Sequence, residues 1–187
     1  MNGVRLKHHE AVIRMMAMIF DGTEDWSGVW LCGGAARAYV MNTPFHDMDF
    51  MFRDADLLDD FYDHLIELGA AVTHRRSNLI ELRLDKVVIQ LAFYAYYDSP
   101  EDVINDFDFT CCKFALDHKL KVYYDVADRR DAVDKRLRIQ SLKYPLFIMQ
   151  RLAKYTKDGY TGDDKFWEDV AESLATLPNE VSPRAAD

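Results

Sequence analysis

The chain has 187 residues, a formal net charge of −9 and a hydrophobic content of 49%. That length suits one domain with a small appendage, and the composition excludes a disordered chain. No apolar run approaches the roughly eighteen residues of a membrane span, and the acidic balance argues against gripping a long nucleic acid along its phosphates. A short polynucleotide end, a nucleotide or a protein substrate suits this charge better, although Lys and Arg gather between Arg129 and Lys157. Three cysteines, two of them adjacent (Cys111 and Cys112), make no disulfide framework, so a reduced, cytoplasmic setting is expected. His8, His9 and Glu10 interrupt the apolar pattern of the N-terminus, which therefore does not read as a signal peptide.

Apolar residues at helical spacing predict a helix over His8–Phe20, with Val12, Met15, Met16, Ile19 and Phe20 on one side and Asp21-Gly22-Thr23 as its stop. Val29–Cys32 reads as a short strand that Gly33-Gly34 turns into a helix ending near Val40. A strand follows over Met48–Phe52. Next comes an amphipathic helix over Ala55–Leu68, with Leu57, Leu58, Phe61, Leu65 and Leu68 inward and Gly69 closing it. Three β runs are predicted at Ala71–His74, Asn78–Leu84 and Val87–Tyr94, the last two joined by a hairpin at Asp85-Lys86. A short helix after Pro100 leads to a strand over Thr110–Leu116, which pairs with Leu120–Tyr124 around Asp117-His118. From Asp125 the pattern is helical, with helices over Leu142–Lys157 and Asp163–Leu177 and a frayed tail after Pro178. The expectation is an α+β fold: a mixed β-sheet head over residues 1–125, flanked by helices, and a small α-helical segment over 126–187.

The chemistry concentrates in Leu31–Val40 and His46–Phe52. Side chains alternate across a strand, so Asp47 and Asp49 project from one face, roughly 7 Å apart along it. A glycine turn opening a helix lies just before them, and such a turn lets backbone amides and the helix dipole approach phosphate. Arg37, one turn into that helix, adds a charge-assisted contact if it faces the same way.

The order of these motifs resembles the catalytic head of the polymerase-β-like nucleotidyltransferase superfamily. It is closest to the branch of poly(A) polymerases and CCA-adding tRNA nucleotidyltransferases. Gly33-Gly34-Ala35-Ala36-Arg37 matches that branch's glycine turn and Asp47-Met48-Asp49-Phe50 its carboxylate strand. Asp108-Phe109-Thr110 matches part of a downstream motif, Asp131–Arg138 resembles the segment entering the neck, and Arg151–Tyr160 resembles the neck helix. The resemblance spans roughly residues 26–160. It implies Mg²⁺ (or Mn²⁺) at Asp47 and Asp49, which are then the catalytic residues, and a nucleoside triphosphate seated on Gly33, Gly34 and Arg37. It also implies transfer of an NMP to a hydroxyl acceptor with release of pyrophosphate. An RNA 3′ end or tRNA-like acceptor is favoured, with a protein or small molecule as the other choices.

The chain also departs from the family pattern. Ala38 stands at a position that is usually aspartate, and Gln90 at one where relatives often carry a third carboxylate. The metal is then held by two carboxylates alone, or with help from Glu81 or Asp108, or the protein is a catalytically degraded nucleotide- or partner-binding module. Asp108 also reads as a structural bond at a strand start, and Lys154, with Arg151 and Lys157, as one helix face that is either solvated or meets a substrate end. The Tyr94, Tyr96 and Tyr97 cluster reads first as core.

Overall fold

A computed structural model describes residues 7–22, 24–141 and 145–175. Helix α1 (Lys7–Ile19) buries Val12, Met15, Met16 and Ile19, the stripe expected from its spacing. Strand β1 (Val29–Cys32) runs into α2 (Gly33–Met41), and β2 (Asp47–Phe52) is followed by α3 (Ala55–Glu67). Asp54 caps α3, its carboxylate accepting from the Leu57 amide at 2.9 Å. Strands β3 (Ala71–Arg76), β4 (Leu79–Leu84) and β5 (Val87–Ala92) form a meander, and its second hairpin turns with Asp85 in the left-handed region. Helix α4 (Pro100–Asn105) carries a Ser99 cap and proline in its first turn. Two short strands, β6 (Ala115–Leu116) and β7 (Val122–Tyr123), precede α5 (Val126–Val133), α6 (Pro145–Lys157) and α7 (Asp164–Ala175).

The strands make one mixed sheet in the order β3-β4-β5-β2-β1-β6-β7. Among them only β2 and β5 pair in parallel. Alternation along the central strand decides the rest. Met48, Phe50 and Phe52 enter the large core with residues of α1, α2 and α3, while Met51 joins a smaller cluster with Trp30, Tyr97, Val103 and Ile104. Phe61 of α3 is fully buried, with ring centroids 5.0 Å from Phe50, 5.2 Å from Trp26 and 5.7 Å from Phe52. At the sheet's end β3 is exposed along all six residues, with a register irregularity between Val72 and His74.

The α+β fold and the mixed sheet stand as expected; three local expectations do not. Residues 110–116 are not one strand: Thr110–Cys112 is a 3₁₀ turn, and only Ala115 and Leu116 pair with β7. The turn is pinned from outside. Asp131, 1% exposed, accepts from Thr110 Oγ1 at 2.8 Å and from Arg138 Nη2 at 2.6 Å, and Lys113 pairs with Asp128 at 3.0 Å in a buried setting. Leu68 is exposed at the C-cap of α3 and Leu57, in its first turn, is only half-buried, so the buried stripe of α3 narrows to Leu58, Phe61 and Leu65. The tyrosines divide: Tyr97 is core, whereas Tyr94 and Tyr96 are exposed. The helix start expected at Leu142 and the tail after Pro178 lie outside the described residues. Among the described residues no helix is long and apolar enough to cross a membrane.

Phe61 sits where α3 meets the sheet, so Phe61→Ala should cost about 3–5 kcal/mol in urea denaturation. The exposed neighbour Ile66→Ala should stay within about 0.5 kcal/mol of the parent.

Candidate active site

Asp47 and Asp49 leave the same face of β2, and both are half-buried. The sheet register sets a row of side chains across that face. Cys32 on β1 lies opposite Asp49, Asp49 opposite Gln90 on β5, Gln90 opposite Glu81 on β4, and Glu81 opposite His74 on β3. Above the row opens a cleft of about 470 Å³, floored by Asp47, Asp49 and Gln90, closed at one end by Gly33 and Gly34, and walled by Arg151 and Lys154 of α6. His46 lies on its rim and Tyr94 at its side. Glu81 is not part of the lining. Its Oε1 accepts from Thr73 Oγ1 at 2.7 Å and meets His74 Nδ1 at 3.2 Å, and its Oε2 accepts from Gln90 Nε2 at 3.4 Å. The Thr73 hydroxyl above all, with His74 and Gln90, holds the Glu81 carboxyl below its usual range.

The glycine turn does one thing the sequence did not disclose. Gly33 takes a φ of +64°, a left-handed conformation that suits glycine, and its N–H donates to the Phe114 carbonyl at 3.0 Å. Its amide is therefore tied to the fold and not free for a phosphate. A Cβ on Gly33 would lie 3.5 Å from Asp49 Oδ2, while around Gly34 there is open space. Cys32 gives α2 no side-chain cap, so first-turn amides from Gly34 onward lack an intrahelical acceptor where the helix faces the cleft.

Arg37 is 8% exposed and packed against α6. Its Nη1 donates to the Cys111 carbonyl at 3.3 Å, its guanidinium lies 5.5 Å from the Tyr160 ring centroid and 5.9 Å from that of Tyr155, and its Nε has no partner. It borders the cleft while tying α2 to α6. Cys112, buried behind it, donates to the Tyr155 hydroxyl at 2.8 Å. Both adjacent cysteines are free and buried, as packing residues should be.

Burial, then the charge of Asp47, pushes the Asp49 carboxyl up from 3.8 to about 7, and Lys154 and Arg151 pull it back down. Arg151 also forms an ion pair with the buried Asp108, whose main-chain oxygen accepts from the Gln140 amide at 2.7 Å. Asp108 thus lies in the cleft wall as the partner of a cation, not beside the carboxylate pair. Of the helix face expected from Arg151, Lys154 and Lys157, the first two reach the cleft. The Glu81–Gln90 link and the pull of Arg151 on Asp49 were not foreseen; a neck-like helix start at Arg151 was the nearest sequence signal. Among the described residues no three His, Cys, Asp or Glu side chains assemble into a metal-binding group.

Solved structures with this fold include a CCA-adding enzyme with CTP, at 14% identity and a TM-score of 0.65 over 89% of this chain and 41% of that one. Another is a Thermotoga maritima CCA-adding enzyme with tRNA, at 14% identity and 0.61 over 88% of this chain and 42% of that one. A third is a tRNA nucleotidyltransferase with a primer tRNA and an incoming ATP analogue, at 16% and 0.58 over 79% and 47%. The chain spans less than half the length of these structures, and at such identities the likeness is one of fold: a nucleotidyltransferase head-like fold. No curated protein sequence matches it. A family model described as "Gabija anti-defense 2 family protein" (Gad2) matches residues 7–132, more than half of the chain, and the chain belongs to that family.

Proposed function

We propose that the protein is a metal-dependent nucleotidyltransferase that moves an NMP from an NTP to a hydroxyl acceptor, and that this transfer counteracts the Gabija defence named in its family's description. The single observation that carries the reading is the carboxylate pair Asp47 and Asp49 facing Arg151 and Lys154 across a cleft that ends at the α2 N-terminus. The two carboxylates fit Mg²⁺ or Mn²⁺. Mg²⁺ is commonly held by one or two carboxylates completed by substrate phosphates and water, so a third protein carboxylate is not required. When bound, such ions supply charge neutralisation at the attacking and leaving oxygens.

The chain's own groups do the rest. Asp47 and Asp49 hold the cation on a rigid central strand. The first-turn amides of α2 beyond Gly33, with the positive end of its dipole, face the phosphates. Lys154 and Arg151 balance the triphosphate charge from the opposite wall, and Arg151 exchanges Asp108 for an incoming anion. Arg37 braces the two walls instead of taking the phosphate directly. In this reading residues 1–125 are the head and 126–187 a neck-like segment whose α6 completes the cleft, working in the cytoplasm.

The acceptor is an RNA 3′ end, a protein side chain or a small molecule. The fold neighbours solved with tRNA favour RNA, whereas the anti-defense family and the −9 charge favour a protein. A second reading, a nucleotide-binding module that has lost turnover, is favoured by Gln90 at the position of a carboxylate.

Two outcomes test this. Asp49 ionises at about 4 in the unfolded chain and about 7 in the fold, so its charge lowers stability increasingly from pH 4 to 7 and by a constant amount above. Asp49→Asn should therefore raise Tm by a few degrees at pH 7.5 in chelator and not at pH 3.5. Mg²⁺ with a non-hydrolysable NTP should raise the parent's Tm more than the variant's. In the second test, α-labelled NTPs with Mg²⁺ or Mn²⁺ are offered total RNA, lysate protein and small acceptors. The parent should label an acceptor, and Asp47→Asn/Asp49→Asn should lower labelling at least a hundredfold; nucleotide-induced stabilisation without any label would establish the binding module.

A further inference from the structure

Gln90 stands where a carboxylate was expected, but its surroundings hold it in one orientation. Glu81 is engaged on both oxygens, Oε1 by Thr73 Oγ1 at 2.7 Å and His74 Nδ1 at 3.2 Å, and Oε2 by the Gln90 amide at 3.4 Å. A carboxylate only accepts, so the end of the Gln90 amide facing it is the NH₂ group. That leaves the carbonyl oxygen for the opposite side. The residue opposite Gln90 there is Asp49 on β2, and both side chains line the cleft floor.

We propose that Gln90 is the third, neutral oxygen ligand of the cation held by Asp47 and Asp49, with Glu81 as the positioning residue that fixes the amide's flip. This deepens the metal-dependent reading and rests on it. The chemistry is consistent. Hard divalent cations take amide and carbonyl oxygens as well as carboxylates, and side chains behind a metal's ligands commonly orient them. A set of two carboxylates and one amide is neutralised by a single divalent ion. A third carboxylate would add a like charge to a half-buried pair that already repel each other. Thr73 and His74 extend the support to the sheet edge, so four residues on three strands end at one carbonyl oxygen.

The test is Mn²⁺ binding by the full chain at fixed pH, read as loss of the free Mn²⁺ paramagnetic resonance signal, without reference to turnover. Gln90→Ala should weaken binding about tenfold or more, and Glu81→Gln, which no longer dictates the flip, about tenfold. The exchange Glu81→Gln/Gln90→Glu keeps the hydrogen bond with donor and acceptor reversed and puts a carboxylate at 90; it should bind at least as tightly as the parent. Parental binding by Gln90→Ala would overturn the ligand role. Weak binding by Gln90→Ala with parental binding by Glu81→Gln would overturn the positioning role, and failure of the exchange variant to recover binding would do the same. If Asp47→Asn/Asp49→Asn binds Mn²⁺ as well as the parent, the underlying metal reading falls instead. Metal-free melting curves identify any variant that has not folded, and the exchange variant still decides the question.

Discussion

Two carboxylates fixed on one face of a half-buried strand repel each other, and the cleft is arranged around that repulsion. β2 cannot relieve it alone, because its intervening residues Met48 and Phe50 are committed to the core. The relief comes from α6, about a hundred residues further along the chain, whose Arg151 and Lys154 act on Asp49 across the open space. The position of α6 is therefore as much a part of the site as the strand itself.

A buried guanidinium holds the two together. Arg37 leaves α2, reaches the Cys111 carbonyl in the 3₁₀ turn and lies against Tyr155 of α6 and Tyr160 just beyond it. The turn is in turn secured to α5 through Thr110, Asp131 and Arg138. The wall with the helix N-terminus and the wall with the cations are thus joined through Arg37 at the border of the cleft. Arg37 borders the cleft and also ties α2 to the 3₁₀ turn and to Tyr155 of α6, while Arg151 and Lys154 line the cleft from α6.

Much of this was legible in the sequence, for physical reasons that also mark the limits. Period-two and period-3.6 patterns made β1 through β5 and α1 through α3 readable, and strand alternation put Asp47 and Asp49 on one face. The 3₁₀ turn was misread because Cys112, Phe114 and Leu116 look like strand alternation. What prevents a strand there is Asp131, twenty-one residues from Thr110 and silent in any local window. The burial of Arg37 was hidden for the same reason, since Tyr155 and Tyr160 meet it only after the chain has folded. Gln90 read as a missing carboxylate because its neighbour Glu81 becomes a neighbour only through the β4–β5 register.

The bare edge at β3 bears on how the molecule behaves among its own copies. An exposed edge strand offers unpaired amides and carbonyls to any other strand, and a flat apolar one invites sheets to merge. Here the register breaks between Val72 and His74, and Arg75 and Arg76 follow on the same exposed strand. Two such edges brought together would meet irregular spacing and like charge. The sheet is thereby discouraged from growing by self-addition at this edge.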